Sequence, residues 1–199
     1  MNIAVTGGIG SGKSTAIQIL KELNFPTFSC DEIYKEISQS AEYLNEIRKI
    51  FPSCVKDGKL DRKCLSKIVF ANEASRAQLN AAAHPLIMKT LLTKMQNCNA
   101  NIVFAEVPLL FEGGYETLFD FVIVVQRDLS QRSLAIQNRD GLSQEDINRR
   151  IQSQIDYNSI ETKNYFQEKD FFVLENNGSV DDLKNQVYRV IKSLKKCVS

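Results

Sequence analysis

The segment "GGIGSGKST", which starts at Gly7, restricts the possible folds of this chain more than any other part of the sequence. Residues 7–14 match the pattern G-x-x-x-x-G-K-[ST], with a short apolar run at 3–5 before them and a helical pattern after them. Glycines let the backbone turn its N–H groups inward, and the following helix adds the partial positive charge of its N-terminus. The pattern therefore predicts a phosphate-binding loop (P-loop) between a buried strand and a helix.

Two side chains of this loop have a predicted chemical role. Lys13 is expected to reach the terminal phosphates of a nucleotide, and the Ser14 hydroxyl is expected to bind Mg²⁺. The alternative is a glycine-rich turn that caps a helix and leaves Lys13 in solvent. The strand pattern before the loop and the helix pattern after it favour the nucleotide site.

Composition excludes several classes of partner. The 199 residues include 25 Lys and Arg against 24 Asp and Glu, a net charge of +1 that argues against nucleic acid or an anionic membrane as partner. No apolar run approaches the ~18 residues that span a bilayer. The five cysteines contain no C-x-x-C pair and there is one histidine, so we expect no zinc site, and free thiols in a reducing cytoplasm.

Strand and helix patterns alternate along most of the chain. Continuous apolar segments at 101–107 and 121–125 are typical of parallel strands buried on both faces. The sequence therefore predicts an α/β fold with a mainly parallel sheet, a helical insertion at about 31–97 and a helical hairpin bent at Asp140–Gly141. The other predicted elements are strands at 3–6, 25–29 and 171–174, and helices at 13–23, 31–38, 42–51, 62–70, 74–96, 129–139, 143–154 and 180–195.

Among P-loop proteins, the sequence favours a small-molecule kinase. A GTPase should carry N-K-x-D and D-x-x-G segments, and a transport ATPase its own signature loop, and neither set is present. A kinase needs a carboxylate near the loop, an acceptor pocket and an arginine-bearing lid that excludes water. A nucleotide-dependent switch protein is the alternative from a different functional class.

Three sets of charged residues are candidates for this chemistry. Asp31, after the second predicted strand, could orient an acceptor hydroxyl, or could instead be the N-cap of a helix beginning at Glu32. Glu106 ends an apolar run and could lie near the metal ion, or could be a carboxylate satisfied by backbone at the sheet edge. The predicted lid carries Arg132, Arg139, Arg149 and Arg150, of which Arg139 at the hairpin tip is the best candidate for a phosphate clamp.

With these residues assembled, the chain resembles the dephospho-coenzyme A kinase family nearly from end to end. That family phosphorylates the ribose 3′-hydroxyl of dephospho-CoA with ATP, the last step of coenzyme A synthesis. The segments that carry the resemblance are "TGGIGSGKST" from Thr6, "SCDEIYKE" from Ser29, "LDRKCLSKIVF" from Leu60, "LNAAAHPLI" from Leu79, "VPLLFE" from Val107, "NRDGLS" from Asn138 and "ENNG" from Glu175.

The resemblance implies a P-loop nucleoside triphosphate hydrolase-like three-layer sandwich, formed by one kinase domain over residues 1–199. Its core would comprise about 1–30 and 98–199, its acceptor-binding subdomain about 31–97, and its lid about 129–160. It would use ATP and Mg²⁺, act on dephospho-CoA, and be a cytoplasmic monomer or weak homo-oligomer. A nucleotide or nucleoside kinase with a similar core is the alternative within the same class.

When the functional residues of the family are transferred to the matching positions of this chain, the resemblance also implies a set of site residues. The ATP phosphates would contact Gly10, Ser11, Gly12, Lys13, Ser14 and Thr15, and Asn177 would lie near the adenine. Asp31 would be the catalytic carboxylate, with Lys35 and Arg62 contacting the phosphates of the acceptor. His84 falls on a histidine–proline pair of the family, so it would contact substrate; the alternative is a packed imidazole at a helix bend.

The chain departs from the family pattern at three places. Ser29 replaces a first aspartate, which leaves Asp31 as the catalytic carboxylate, and Lys35 replaces an arginine, which removes a bidentate fork. The family lid often reads Q-x-x-R before its R-D pair, where this chain has Arg132 and then Ala135. The sequence leaves open whether Arg132, about one helical turn earlier, takes over the role of the missing arginine.

Overall fold

The structure is a computed structural model that describes residues 1–169 and 171–197. The chain divides into two compact units. The first contains Met1–Thr27 and Cys98–Ser199, and the second contains Phe28–Asn97.

A five-stranded sheet organises the first unit. Its central strand β1 (Asn2–Thr6) runs parallel to β5 (Val103–Glu106) on one side and to β6 (Phe121–Gln126) on the other. β7 (Phe172–Glu175) runs parallel to β6, and β2 (Thr27–Ser29) completes the order β2-β5-β1-β6-β7. The predicted α/β fold with a mainly parallel sheet is thereby confirmed.

The core of the first unit explains why its strands lack polar alternation. Ile3 and Val5 pack against helices α1 (Lys13–Glu22) and α9 (Val180–Lys196), while Ala4, between them, is also completely buried. Both faces of β1 are therefore covered, as the apolar runs predict. The other helices of this unit are α6 (Leu129–Asp140), α7 (Gln144–Gln152) and α8 (Ile160–Glu168).

The second unit is mainly helical. Its longest helix, α5 (Glu73–Gln96), packs against α2 (Cys30–Ile37), α3 (Ala41–Ile50) and α4 (Arg62–Ala71). Pro85 lies inside α5, and the helix continues for eleven residues beyond it, to Gln96.

Two small elements were not anticipated from the sequence. Strands β3 (Val55–Lys56) and β4 (Lys59–Leu60) form a hairpin whose turn, Asp57–Gly58, has φ angles of 50° and 72°. Asp-Gly is the sequence that such a left-handed two-residue turn favours, so part of the segment between the predicted helices at 42–51 and 62–70 is a hairpin. Helix α8 was also missed, because its mixed sequence "IETKNYFQE" has no clear apolar stripe.

The expectation of free thiols is wrong for two of the five cysteines. Cys54 and Cys64 form a disulfide, with their Cα atoms 5.4 Å apart. The β3–β4 hairpin lies between them in sequence and folds the chain back, which brings the two residues together. Cys30 and Cys98 are half-buried thiols, and Cys197 is an exposed one.

None of the helices in the described part of the chain is long and apolar enough to cross a membrane.

Candidate active site

The P-loop adopts a conformation that requires glycine at two positions. Gly10 and Gly12 have φ angles of 78° and 97°, in the left-handed region that side-chain-bearing residues rarely occupy. Gly12 is the N-cap of α1, and a Cβ atom built on it would lie 2.1 Å from Asn176 Nδ2. The N-cap therefore makes no side-chain capping hydrogen bond, and the helix start presents its backbone N–H groups, as an anion site needs.

Lys13 is held inside this loop. Its side chain is 9% exposed, and Nζ donates hydrogen bonds to the carbonyl oxygens of Gly7 at 2.8 Å and Gly8 at 3.1 Å. The ammonium group therefore lies beside the first half of the loop. Ser11 contributes a buried Oγ that has no hydrogen-bond partner in the described part of the chain. A bound phosphate oxygen would give this hydroxyl an acceptor, which fits the predicted triphosphate site.

Two oxygen-bearing side chains meet next to the loop. Ser14 Oγ donates to Glu106 Oε1 at 3.4 Å. Glu106 is the last residue of β5, and β1, the strand before the P-loop, is its parallel neighbour, so the carboxyl ends of both strands lie at the same sheet edge. Hydroxyl and carboxylate oxygens are ligands that Mg²⁺ accepts, so this pair fits a magnesium ion.

Three side chains distant in sequence hold the loop from outside. Asn176 Nδ2 donates to the Ser11 carbonyl at 2.8 Å. Gln154 Oε1 accepts from the Ile9 N–H at 2.6 Å, and Arg132 Nε donates to the Ile9 carbonyl at 2.9 Å. Neither Asn176 nor Gln154 was predicted from the sequence to be a site residue. The doubled asparagine at 176–177 was a usable signal for the first, whereas nothing in the local sequence marks Gln154.

Asn177, the residue predicted to lie near the adenine, contacts the lid helix. Its Oδ1 accepts from the Asp128 N–H at 2.8 Å, and its Nδ2 donates to Asp128 Oδ1 at 3.2 Å. Asp128 is the N-cap of α6. The neighbouring residue, Asn176, is the one that binds the P-loop backbone, so the two asparagines connect the loop after β7 to two parts of the site.

The arginines of the predicted lid are in different environments. Arg139 is exposed and binds Asp140 through two hydrogen bonds of 2.7 and 2.8 Å, which raise the pKa of Arg139 and lower that of Asp140. Arg150 lies 3.4 Å from the same carboxylate. Arg132, by contrast, is 2% exposed, and burial lowers its pKa. Of these three arginines, Arg132 is the one whose side chain contacts the P-loop.

Asp31, in the second unit, is not the N-cap of its helix. α2 begins at Cys30, and Ser29 is the cap, with Oγ accepting from the Asp31 N–H at 3.2 Å. The alternative interpretation of Asp31 as the helix cap is therefore wrong, because the helix starts two residues earlier than that reading requires. The Asp31 side chain is exposed in the first turn of α2.

Lys35 and Arg62 are connected through a buried serine. Arg62 Nη2 donates to Ser38 Oγ at 2.8 Å, and Ser38 Oγ donates to the Lys35 carbonyl at 2.9 Å. Ser38 is completely buried, while the two cationic side chains are exposed. The side chain of Arg62, at the start of α4, therefore contacts the C-terminal end of α2, the helix that carries Lys35.

His84 lies within α5, directly before Pro85. The imidazole is half-buried, and burial lowers its pKa below the ordinary value. The histidine therefore belongs to the continuous helix rather than to a break between two helices.

The half-buried imidazole of His84, the only histidine of the chain, predicts a pH dependence of stability. The unfolded chain takes up a proton at this residue below about pH 6.5, whereas the folded state resists protonation until a lower pH. The free energy of unfolding should therefore fall as the pH drops below about 6.5. Urea unfolding at pH 7 and about 5.5 should show this fall, and His84→Gln should reduce it. An equal fall in the variant would contradict the assignment.

Comparisons with known proteins agree with this architecture. A family model described as dephospho-CoA kinase matches residues 1–182. The dephospho-CoA kinase of Thermus thermophilus is 33% identical over 192 residues, which cover 96% of this chain and 91% of that protein.

Solved structures extend the similarity to the fold. A dephospho-CoA kinase from Campylobacter jejuni is 33% identical, with a TM-score of 0.67 over 100% of this chain and 98% of that one. A crystal structure of a Thermus thermophilus protein is 31% identical, with a TM-score of 0.78 over 98% and 97% of the two chains. The resemblance predicted from the sequence segments is therefore confirmed. The match over nearly the whole length, on a fold that carries an intact P-loop, shows that the chain belongs to the dephospho-CoA kinase family.

Proposed function

We propose that the chain transfers the γ-phosphoryl group of ATP to the ribose 3′-hydroxyl of dephospho-CoA, giving coenzyme A and ADP. The observation that carries this function is the family match over residues 1–182, which include the P-loop and every residue assigned below. A match to this family that extends through the helical unit does not favour a nucleoside kinase or a nucleotide-dependent switch.

The P-loop is the donor side of the proposed reaction. Residues 10–15 bind the ATP phosphates, and Lys13 exchanges its loop carbonyls for β- and γ-phosphoryl oxygens. Ser14 and Glu106 are the residues that we assign to hold Mg²⁺, which when bound neutralises charge on the phosphate oxygens. The orphaned Ser11 hydroxyl supports a polar ligand in this loop.

The second unit is the proposed acceptor side. The oxygen of the 3′-hydroxyl attacks the γ-phosphorus, and Asp31 takes the proton of that hydroxyl. The bond from the γ-phosphorus to the bridging oxygen breaks, and ADP leaves with that oxygen. Lys35 in α2 and Arg62 at the start of α4 bind phosphates of the acceptor. His84 is assigned a substrate contact on the resemblance alone.

The proposed lid comprises residues 129–160 and carries Arg139 at its tip. Arg139 is held by Asp140 in this structure, and on closure it would exchange that carboxylate for oxygens of the transferring phosphoryl group. Closure would also exclude water, which competes with the acceptor hydroxyl. Asn177 positions the lid through its hydrogen bond to the start of α6, and it lies near the adenine of bound ATP. We further propose that the enzyme acts in the cytoplasm as a monomer or weak homo-oligomer.

A direct transfer assay tests the function. The protein is incubated with Mg·ATP and dephospho-CoA, or with a panel of nucleosides and nucleoside monophosphates, and products are identified by mass. Among the acceptors tested with Mg·ATP, only dephospho-CoA is expected to give a product that is one phosphoryl group heavier. A chelator should abolish formation of this product, and added Mg²⁺ should restore it. Transfer to another acceptor would discard the substrate assignment, and acceptor-independent hydrolysis would favour the switch protein.

A further inference from the structure

A buried arginine lies against the first half of the P-loop. Arg132 extends from α6, and its Nε donates to the Ile9 carbonyl at 2.9 Å. A Cβ atom built on Gly8 would lie 2.3 Å from Arg132 Nη2, so the guanidinium fills the space that a side chain at that position would need.

The guanidinium is incompletely satisfied. Nη2 is buried and has no hydrogen-bond partner in the part of the chain that the structure describes. Asp156 and Tyr157 favour the charged form, yet burial is the larger influence and lowers the pKa of Arg132. A buried N–H group without an acceptor lowers the stability of the folded state. When such a group lies beside an anion-binding loop, the bound anion can supply the missing acceptor.

The position of Lys13 indicates which phosphate that acceptor belongs to. The P-loop lysine serves the β- and γ-phosphates, and here its ammonium donates to the carbonyls of Gly7 and Gly8. Arg132 approaches the same residue, Gly8, with its unpartnered nitrogen. The opposite end of the loop, at Gly12, is contacted by Asn176, which is neutral.

We propose that Arg132 is a nucleotide-binding residue whose Nη2–H donates to the terminal phosphoryl group of bound ATP. Unlike Arg139, which is exposed and paired with Asp140, it is at the loop in the present conformation and needs no closure of the lid. The proposal rests on the proposed function only in requiring that the P-loop binds a nucleoside triphosphate.

Binding of ATP and ADP to variants at this position tests the proposal. Arg132→Met removes the charge and every donor, while Arg132→Gln removes the charge and keeps an N–H that can reach Ile9. Arg189→Met, at an exposed arginine of α9, is the control for the loss of one positive charge. Calorimetry with each nucleotide gives Kd, and thermal unfolding without nucleotide gives Tm.

Both Arg132 variants should bind ATP at least about tenfold more weakly than the wild type, and ADP within about threefold of it. The Tm of nucleotide-free Arg132→Met should be unchanged or higher, because it loses an incompletely satisfied buried charge. Wild-type ATP affinity in either folded variant would overturn the proposal. Equal weakening of ATP and ADP would also overturn it, because the arginine would then support the loop and not the terminal phosphate. Since neither measurement uses dephospho-CoA, failure of the acceptor assignment would leave this test intact.

Discussion

Replacing Asp31 by asparagine should lower kcat for phosphorylation of dephospho-CoA by about 10²- to 10⁴-fold, the range that a positioned general base contributes. Asparagine has nearly the same shape but cannot take the proton of the 3′-hydroxyl. Because Asp31 is exposed and Ser29 is the helix cap, the substitution should leave the fold intact. The Kd for ATP should stay within about twofold, since the proposed donor contacts come from the P-loop.

Glu32→Gln is the matched control for this variant. Asp31 and Glu32 are adjacent, exposed carboxylates in the first turn of α2, so both substitutions remove the same favourable interaction with the helix dipole. Steady-state kinetics should show a loss of kcat in Asp31→Asn only, and calorimetry should show that both variants bind ATP. Near-normal turnover in Asp31→Asn, or equal losses in both variants, would remove the catalytic role of Asp31.

Much of the fold could be predicted because local patterns specify it. The apolar runs at β1, β5 and β6 identified buried parallel strands, and the glycine motif identified the turn between β1 and α1. Failures occurred where local sequence is ambiguous. The β3–β4 hairpin has only two residues in each strand, which are too few to show a period, so no strand was predicted there.

The site was predictable only in part, because several of its contacts join residues far apart in the chain. The glycine motif predicts Lys13 and Ser14 directly, since their roles follow from positions inside one loop. Nothing local distinguishes the buried Arg132 from the exposed Arg139, because both occur in the same polar helix. The burial of Arg132 depends on packing against Gly8 and Ile9, more than 120 residues earlier.

Asp31 shows how a resemblance and a local pattern differ in what they predict. Its position after the second predicted strand was compatible with either an acceptor-orienting carboxylate or a helix cap, and the family pattern favoured the catalytic role. The structure resolves the local question, because Ser29 supplies the capping hydroxyl and the Asp31 carboxylate is not used for that purpose. Its catalytic role stays a proposal that kinetics must test.

Lys13→Ala should abolish measurable transfer, with kcat reduced by about 10³-fold or more. A preorganised charge at a transferring phosphoryl group contributes on this scale, because the charge develops in a site that is largely shielded from water. Lys13 is 9% exposed and its ammonium group already lies inside the loop, where ATP binding would exchange the carbonyls of Gly7 and Gly8 for phosphoryl oxygens. The Kd for ATP should also rise, since the lysine contacts phosphate in the ground state.

Lys21→Ala controls for the loss of a lysine from the same helix, because Lys21 is exposed in the last turn of α1. Single-turnover measurements at saturating ATP distinguish a lost charge from weakened binding, since they report the transfer step itself. If saturating ATP restores the rate of Lys13→Ala to within about tenfold of the wild type, Lys13 acts mainly in binding and its part in the transfer step is wrong. If the rate of Lys13→Ala stays low at saturating ATP while that of Lys21→Ala is normal, the charge of Lys13 acts on the phosphoryl group during the transfer step.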